Sequence, residues 1–219
     1  MAADSPLVHR TVRTGGVLLA VAAVQFAAVL LWVESRASGF DPKTTSVLSL
    51  GGPSGLWAMA FDASLIVLGV LGTIGLLFGW TAFDERRSRG LGILVLLVAS
   101  LSATVGGVLL VARNRVPAGS VSVALDVAVV AAGIGLLIVS SAMHLHGRWR
   151  ISSAYTFATG LVILAAAVLY ATHITFSLGS GGFERLIAGA VLLWGLVEGL
   201  HLAILHRFAP GLPLKVATA

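Results

Sequence analysis

Three carboxylic acids stand inside long apolar runs of this chain: Asp62, Asp126 and Glu198. An ionisable group at membrane depth costs roughly 2.5–3.5 kcal/mol on insertion scales, so each is a functional candidate by default. Burial disfavours the charged form of a carboxylic acid and keeps its proton available for general-acid work. Aromatic faces such as Phe61, Tyr170 and Trp194 can stabilise a carbocation. Together these residues suit acid-initiated isoprenoid cyclisation, with Asp62, Asp126 and Glu198 as the catalytic candidates.

Glu198 is followed three residues later by His201, and residues three apart share a helix face. The pair fits a proton relay, a hydrogen-bonded structural pair or a fragment of a metal site. Di-iron bundles need two copies of Glu-x-x-His and further Glu residues. One copy is present, and the chain has no Cys, so neither a metal nor a cofactor is expected. Glu34, His173, Glu184 and Arg185 fall at the ends of apolar runs, on the same side as Asp62 and Asp126. The functional reading of this collection is an outward-opening, polar-rimmed cavity for a lipid headgroup, an ion or a proton. Its ligand-binding candidates are Glu34, Phe61, Tyr170, His173, Trp194 and His201. The structural reading is that helix-end acids answer free N–H groups and the helix dipole. That reading suits Glu34 and Glu184 better than Asp62 and Asp126, which lie past the first turn. Asp126 and His144 are eighteen residues apart and so share one face. His144 and His146, beside Arg148 and Arg150, read as a solvated basic end.

The elements that position these residues follow from composition. The chain has 219 residues, of which 58% are hydrophobic and 11% charged, and its mean hydropathy is +1.00. A soluble domain carries roughly 25% charged residues. The polar surface here is too small to coat a water-soluble globule, and disorder needs low hydrophobicity. A spanning helix needs about 20 mostly apolar residues. Six stretches qualify: 15–33, 56–78, 91–111, 121–143, 154–171 and 186–205. All six lack proline and the alternation of barrel strands. The fold expected is an all-α, polytopic membrane protein with six transmembrane helices in one bundle. It comprises an N-terminal tail at 1–14, a membrane domain at 15–206 and a C-terminal tail at 207–219. The first run exceeds a signal-peptide core and is taken as a span.

Charge orients the bundle. Arg10, Arg13, Arg86, Arg87, Arg89, Arg148, Arg150, Arg207 and Lys215 fall on one side. Arg36, Lys43, Arg113, Arg115 and Arg185 fall on the other. The positive-inside rule then places both termini in the cytoplasm of a multi-pass protein of the cell membrane. Trp32, Trp57, Trp80 and Trp149 lie near the ends of runs, where an interfacial belt would put them. The net charge of +5 is explained by topology and anionic lipids, since no nucleic-acid reader motif accompanies it. Small-residue spacing at Gly75-x-x-x-Gly79 and Gly195-x-x-x-Gly199 points to close helix packing within the chain, with a homo-oligomer face as the alternative.

Two strings resemble a known family. One is Thr45-Ser46-Val47-Leu48-Ser49-Leu50-Gly51-Gly52-Pro53, followed by Ala60-Phe61-Asp62-Ala63-Ser64-Leu65-Ile66. The other is Gly181-Gly182-Phe183-Glu184-Arg185-Leu186-Ile187, leading to Leu192-Leu193-Trp194. They resemble the first outer loop, second helix and last helix of the "domain of unknown function nine-nine-eight" membrane family. The resemblance covers the six-helix layout from about Val17 to His206 and implies a fold without an activity. The chain departs from the family pattern at Leu48-Ser49-Leu50-Gly51, where an acid is frequent, and at Asp62, where Asn is common.

Three functions compete on these grounds. The first is a binding or accessory membrane protein holding a lipid or isoprenoid, or supporting a complex. The second is a small membrane-embedded terpene cyclase. The third is a proton-coupled transporter, against which unbroken helices and the lack of an internal repeat count. Convergence of Asp62, Asp126 and Glu198 on one cavity favours enzyme or transport; their separation favours the accessory role.

Overall fold

The computed structural model describes residues 6–37, 39–51, 56–79, 87–117, 119–144, 150–174 and 176–205. Six long helices account for most of them: α1 (Pro6–Arg36), α2 (Leu56–Gly79), α3 (Arg87–Val111), α4 (Ser120–His144), α5 (Arg150–Ala171) and α6 (Gly179–Leu205). Short 3-10 turns at Val47–Leu50, Arg113–Arg115 and Phe176–Leu178 sit in three of the connections. There are no strands among the described residues. Each long helix carries a window apolar enough to cross a membrane. The shortest spans have 22 residues and reach ~33 Å at 1.5 Å per residue, against a hydrocarbon core of ~30 Å. Lipid offers the backbone no hydrogen-bond partner, so a helix that satisfies its own N–H and C=O groups is the stable state of these runs.

The surface confirms the solvent. Large apolar side chains point outward all round, with Leu31 66% exposed, Leu56 69% and Val123 62%. Polar side chains point inward: Thr156, Asp62, Ser140 and Glu198 are all buried. A water-soluble bundle would reverse this arrangement, because exposed apolar patches of that extent do not survive in water.

Each helix packs on the next, and α6 returns to α1, closing a ring of antiparallel neighbours. The start of α1 and the end of α6 therefore lie at one end of the bundle, called here the terminus-bearing end. Two apolar clusters fill the ring. One, around Leu76, Ile93, Leu136, Ile163 and Leu202, draws on all six helices. The other, around Phe26, Leu50, Phe61 and Leu110, lies towards the opposite end.

Small residues set the closest contacts. A Cβ added to Gly16 would lie 2.5 Å from the carbonyl oxygen of Gly199 and 2.8 Å from the amide nitrogen of Ala203. One added to Gly15 would lie 2.7 Å from Gly75 O. Gly75, Gly195 and Gly199 thus face α1, Gly79 faces Leu202 of α6, and the close-approach surfaces are used inside the chain.

The helices exceed the apolar runs most at two places. α1 starts at Pro6, inside the segment read as a tail, because polar residues continue a helix once it leaves the hydrocarbon. α6 starts at Gly179, in a Gly- and Ser-rich stretch ahead of its apolar run. There Gly179 has φ +68°, and Gly181 donates its N–H to Lys43 O at 3.0 Å. The glycines let the α1–α2 connection lie directly against the first turn of α6. The charged run at Asp84, Glu85 and Arg86, as well as Trp80, His146, Arg148, Trp149 and the C-terminal tail, lie outside the described residues.

Candidate functional site

The polar side chains gather in two places. The first is at the end opposite the termini, where Glu184 and Arg185 in the second turn of α6 hold the α1–α2 connection. The Glu184 carboxylate accepts from Ser46 Oγ at 2.8 Å, the Val47 amide at 2.6 Å and the Tyr170 hydroxyl at 2.9 Å. Ser46 Oγ in turn accepts from the Leu48 amide at 3.2 Å and caps the 3-10 turn at Val47–Leu50. Arg185 donates from Nε to Glu34 at 2.9 Å. Its Nη1 reaches the carbonyl oxygens of Pro42, Thr45 and Gly181 at 2.8–2.9 Å. The guanidinium also stacks over Phe40, 4.8 Å from the ring centre. Charge-assisted bonds of this kind are about twice as strong as neutral ones, and Arg185 is only 18% exposed, so little of the pairing is lost to solvent screening.

The connection is further folded by Asp41, outside the spans. Its carboxylate accepts from the Lys43 amide at 3.0 Å and the Thr44 hydroxyl at 2.9 Å. The backbone N–H of Lys43, and then the Thr44 hydroxyl, hold its pKa below the usual carboxylate value. Trp32 and Trp57 meet edge to face at 4.7 Å, and Arg36 sits 5.7 Å over Trp57. Both rings are partly exposed, in the position of an interfacial belt.

Asp62 lies beneath this connection, buried with Phe61, which packs on Phe26 at 5.8 Å. Gly51 covers it so closely that any Cβ there would strike the Asp62 carboxylate. Asp126 is elsewhere: it is exposed on α4, on the outward face that also carries His144. His173 is exposed after α5 with φ +58°.

The second place is in the half of the bundle towards the termini. Glu198 is 4% exposed and accepts from the Ser152 hydroxyl of α5. Its other oxygen shares a proton with His201 Nδ1 at 3.2 Å, and Ser152 Oγ also lies 3.3 Å from that nitrogen. One turn along, Trp194 Nε1 donates to Thr156 Oγ1 at 3.1 Å. Glu198 and Trp194 line a central cavity of about 30 Å³, whose remaining wall is glycine and apolar side chains from α1 to α4 and α6. Among the described residues, no three His, Asp or Glu side chains come together as metal ligands.

The three acids are therefore dispersed. Asp62 is under the α1–α2 connection, Asp126 is on the outer face of α4, and Glu198 alone lines the central cavity. The structure does bring Glu34 to Arg185, Tyr170 to Glu184 and His201 to Glu198. Sequence reasoning missed Ser46, Ser152 and Thr156. Ser and Thr are common in helices, and nothing in the spacing marks these three; only the partner helix does.

Fold and surface define the class: this is a multi-pass, six-helix membrane protein. No family model, curated protein or solved structure matches the chain.

Proposed function

We propose that this chain is an accessory protein of the cell membrane, with both termini in the cytoplasm, and that it belongs to the domain of unknown function nine-nine-eight family. One observation carries the reading: Asp62, Asp126 and Glu198 share no cavity, so no set of acids is assembled for chemistry. The acids of the opposite end are engaged by intrachain donors, which suits a fixed outer surface presented to a partner or to lipid headgroups. Ligand pockets run to about 300 Å³ or more, tenfold above the central cavity, which counts against an isoprenoid substrate there. The two strings that carry the family resemblance meet at Ser46 and Glu184, which supports treating them as one device for holding the outer connection.

One observation favours proton-coupled transport as a second reading, since Glu198 lines a cavity inside a span. The test is native mass spectrometry of the full chain extracted with its lipids, together with incubation of the chain with a polyprenyl diphosphate. The accessory reading predicts no turnover and the same bound species for wild type, Asp62→Asn and Asp126→Asn. Cyclised product from wild type that disappears in Asp62→Asn overturns it.

A further inference from the structure

The Glu198 site has features that packing alone does not require. A carboxyl group within a span is costly, and the hydroxyl of Ser152 already satisfies one of its oxygens. The other is joined to His201, whose side chain is 26% exposed where that of Glu198 is 5% exposed. Exposure thus rises from the carboxyl to the ring. Beside Glu198 lies a cavity with room for one or two water molecules. Its wall is almost wholly apolar, so the charge on Glu198 decides whether water enters. Among the described residues, Tyr155 on α5 also lies within electrostatic reach of Glu198. α1, α2, α3 and α4 contribute only glycine and apolar side chains to the cavity wall.

We propose that Glu198 is a proton-binding site that loads and unloads through His201 from the terminus-bearing face. Loading starts with neutral His201 donating Nδ1–H to the Glu198 carboxylate. The other ring nitrogen takes a proton from water, the Nδ1 proton passes to Oε2, and the ring is left neutral in its other tautomer. Unloading reverses these steps, so protons balance in each direction and no redox partner is needed. An imidazole suits this role because it accepts at one nitrogen while donating at the other. Ionised Glu198 draws water into the cavity; neutral Glu198 leaves it dry. This inference stands on the geometry of Glu198 and is independent of the accessory role.

Infrared difference spectroscopy of the full chain in phospholipid bilayers, with the pH stepped in H2O and in D2O, tests the site. The expected result is a protonated-carboxyl C=O band that changes with pH, shifts in D2O and is absent in Glu198→Gln. In His201→Gln the exchange of that band after mixing into D2O should slow tenfold or more. Ser152→Ala, which removes a single hydroxyl, provides a second readout if Glu198→Gln fails to fold. Losing that hydrogen-bond donor should move the C=O band of the carboxyl to higher frequency. A band that ignores pH, survives Glu198→Gln, or keeps its frequency in Ser152→Ala and its exchange rate in His201→Gln overturns the proposal.

Discussion

Leucine at Gly16 or at Gly199 is expected to lower thermal stability sharply and to reduce the yield of monodisperse protein. A Cβ at Gly16 would lie 2.5 Å from Gly199 O, and one at Gly199 would lie 2.6 Å from Gly16 O. Both obstacles are backbone, so no rotamer change relieves them, and α1 and α6 must move apart. In lipid there is little hydrophobic drive to hold helices together, and close van der Waals packing takes its place. Separation forfeits that packing along the whole contact. Overpacking a core costs about 1–3 kcal/mol or more, against a total stability of about 5–15 kcal/mol. The ring of helices closes at this contact, so the effect should fall in the upper part of the range. Gly189→Leu on the same helix is the control, because nothing lies within 4 Å of a Cβ built there. Size-exclusion profiles and thermal melting in detergent should separate the two cases cleanly. Equal behaviour of Gly189→Leu and Gly16→Leu would show that the packing of α1 on α6 is wrong.

Arg185→Met is expected to cost about 3–5 kcal/mol, the penalty for removing one member of a buried ion pair. Methionine keeps the bulk over Phe40 but leaves Glu34 without its cation and three carbonyl oxygens without their donor. The loss should be local before it is global. The connection at residues 41–50 should exchange its amide protons faster, while α3 and α4, which do not touch Arg185, keep their protection. Hydrogen exchange by mass spectrometry reads this directly. Glu34→Gln should cost less, since Arg185 retains its carbonyl partners.

The membrane bundle was legible because hydrophobic length is a one-dimensional property. All six helices contain their apolar run, and α1 at Pro6 and α6 at Gly179 begin furthest ahead of it. Gly179 and Gly181 add no apolar length, and they make the close contact that lets residues 41–46 dock on α6. Glu198 and His201 were paired correctly because both lie on one helix at a spacing of three. Glu34 and Arg185 are 151 residues apart, so their pairing depends on α1 and α6 being neighbours, which no local pattern states. The same holds for Asp126. Periodicity gives its depth along α4, but only the packing of α4 on α3 and α5 decides that it faces outward.

The six helices close into a ring through α1 and α6, with the small-residue faces turned inward. Because the chain has no Cys, an introduced pair reports without background. A Cβ built on Gly195 lies 3.6 Å from the Ala23 Cβ, within the roughly 3.5–4.5 Å span of a disulfide. The double variant Ala23→Cys/Gly195→Cys, oxidised in the membrane and digested between the two helices, should give one covalently joined peptide pair within a single chain. Absence of that link, or a disulfide-joined dimer in its place, would contradict the ring.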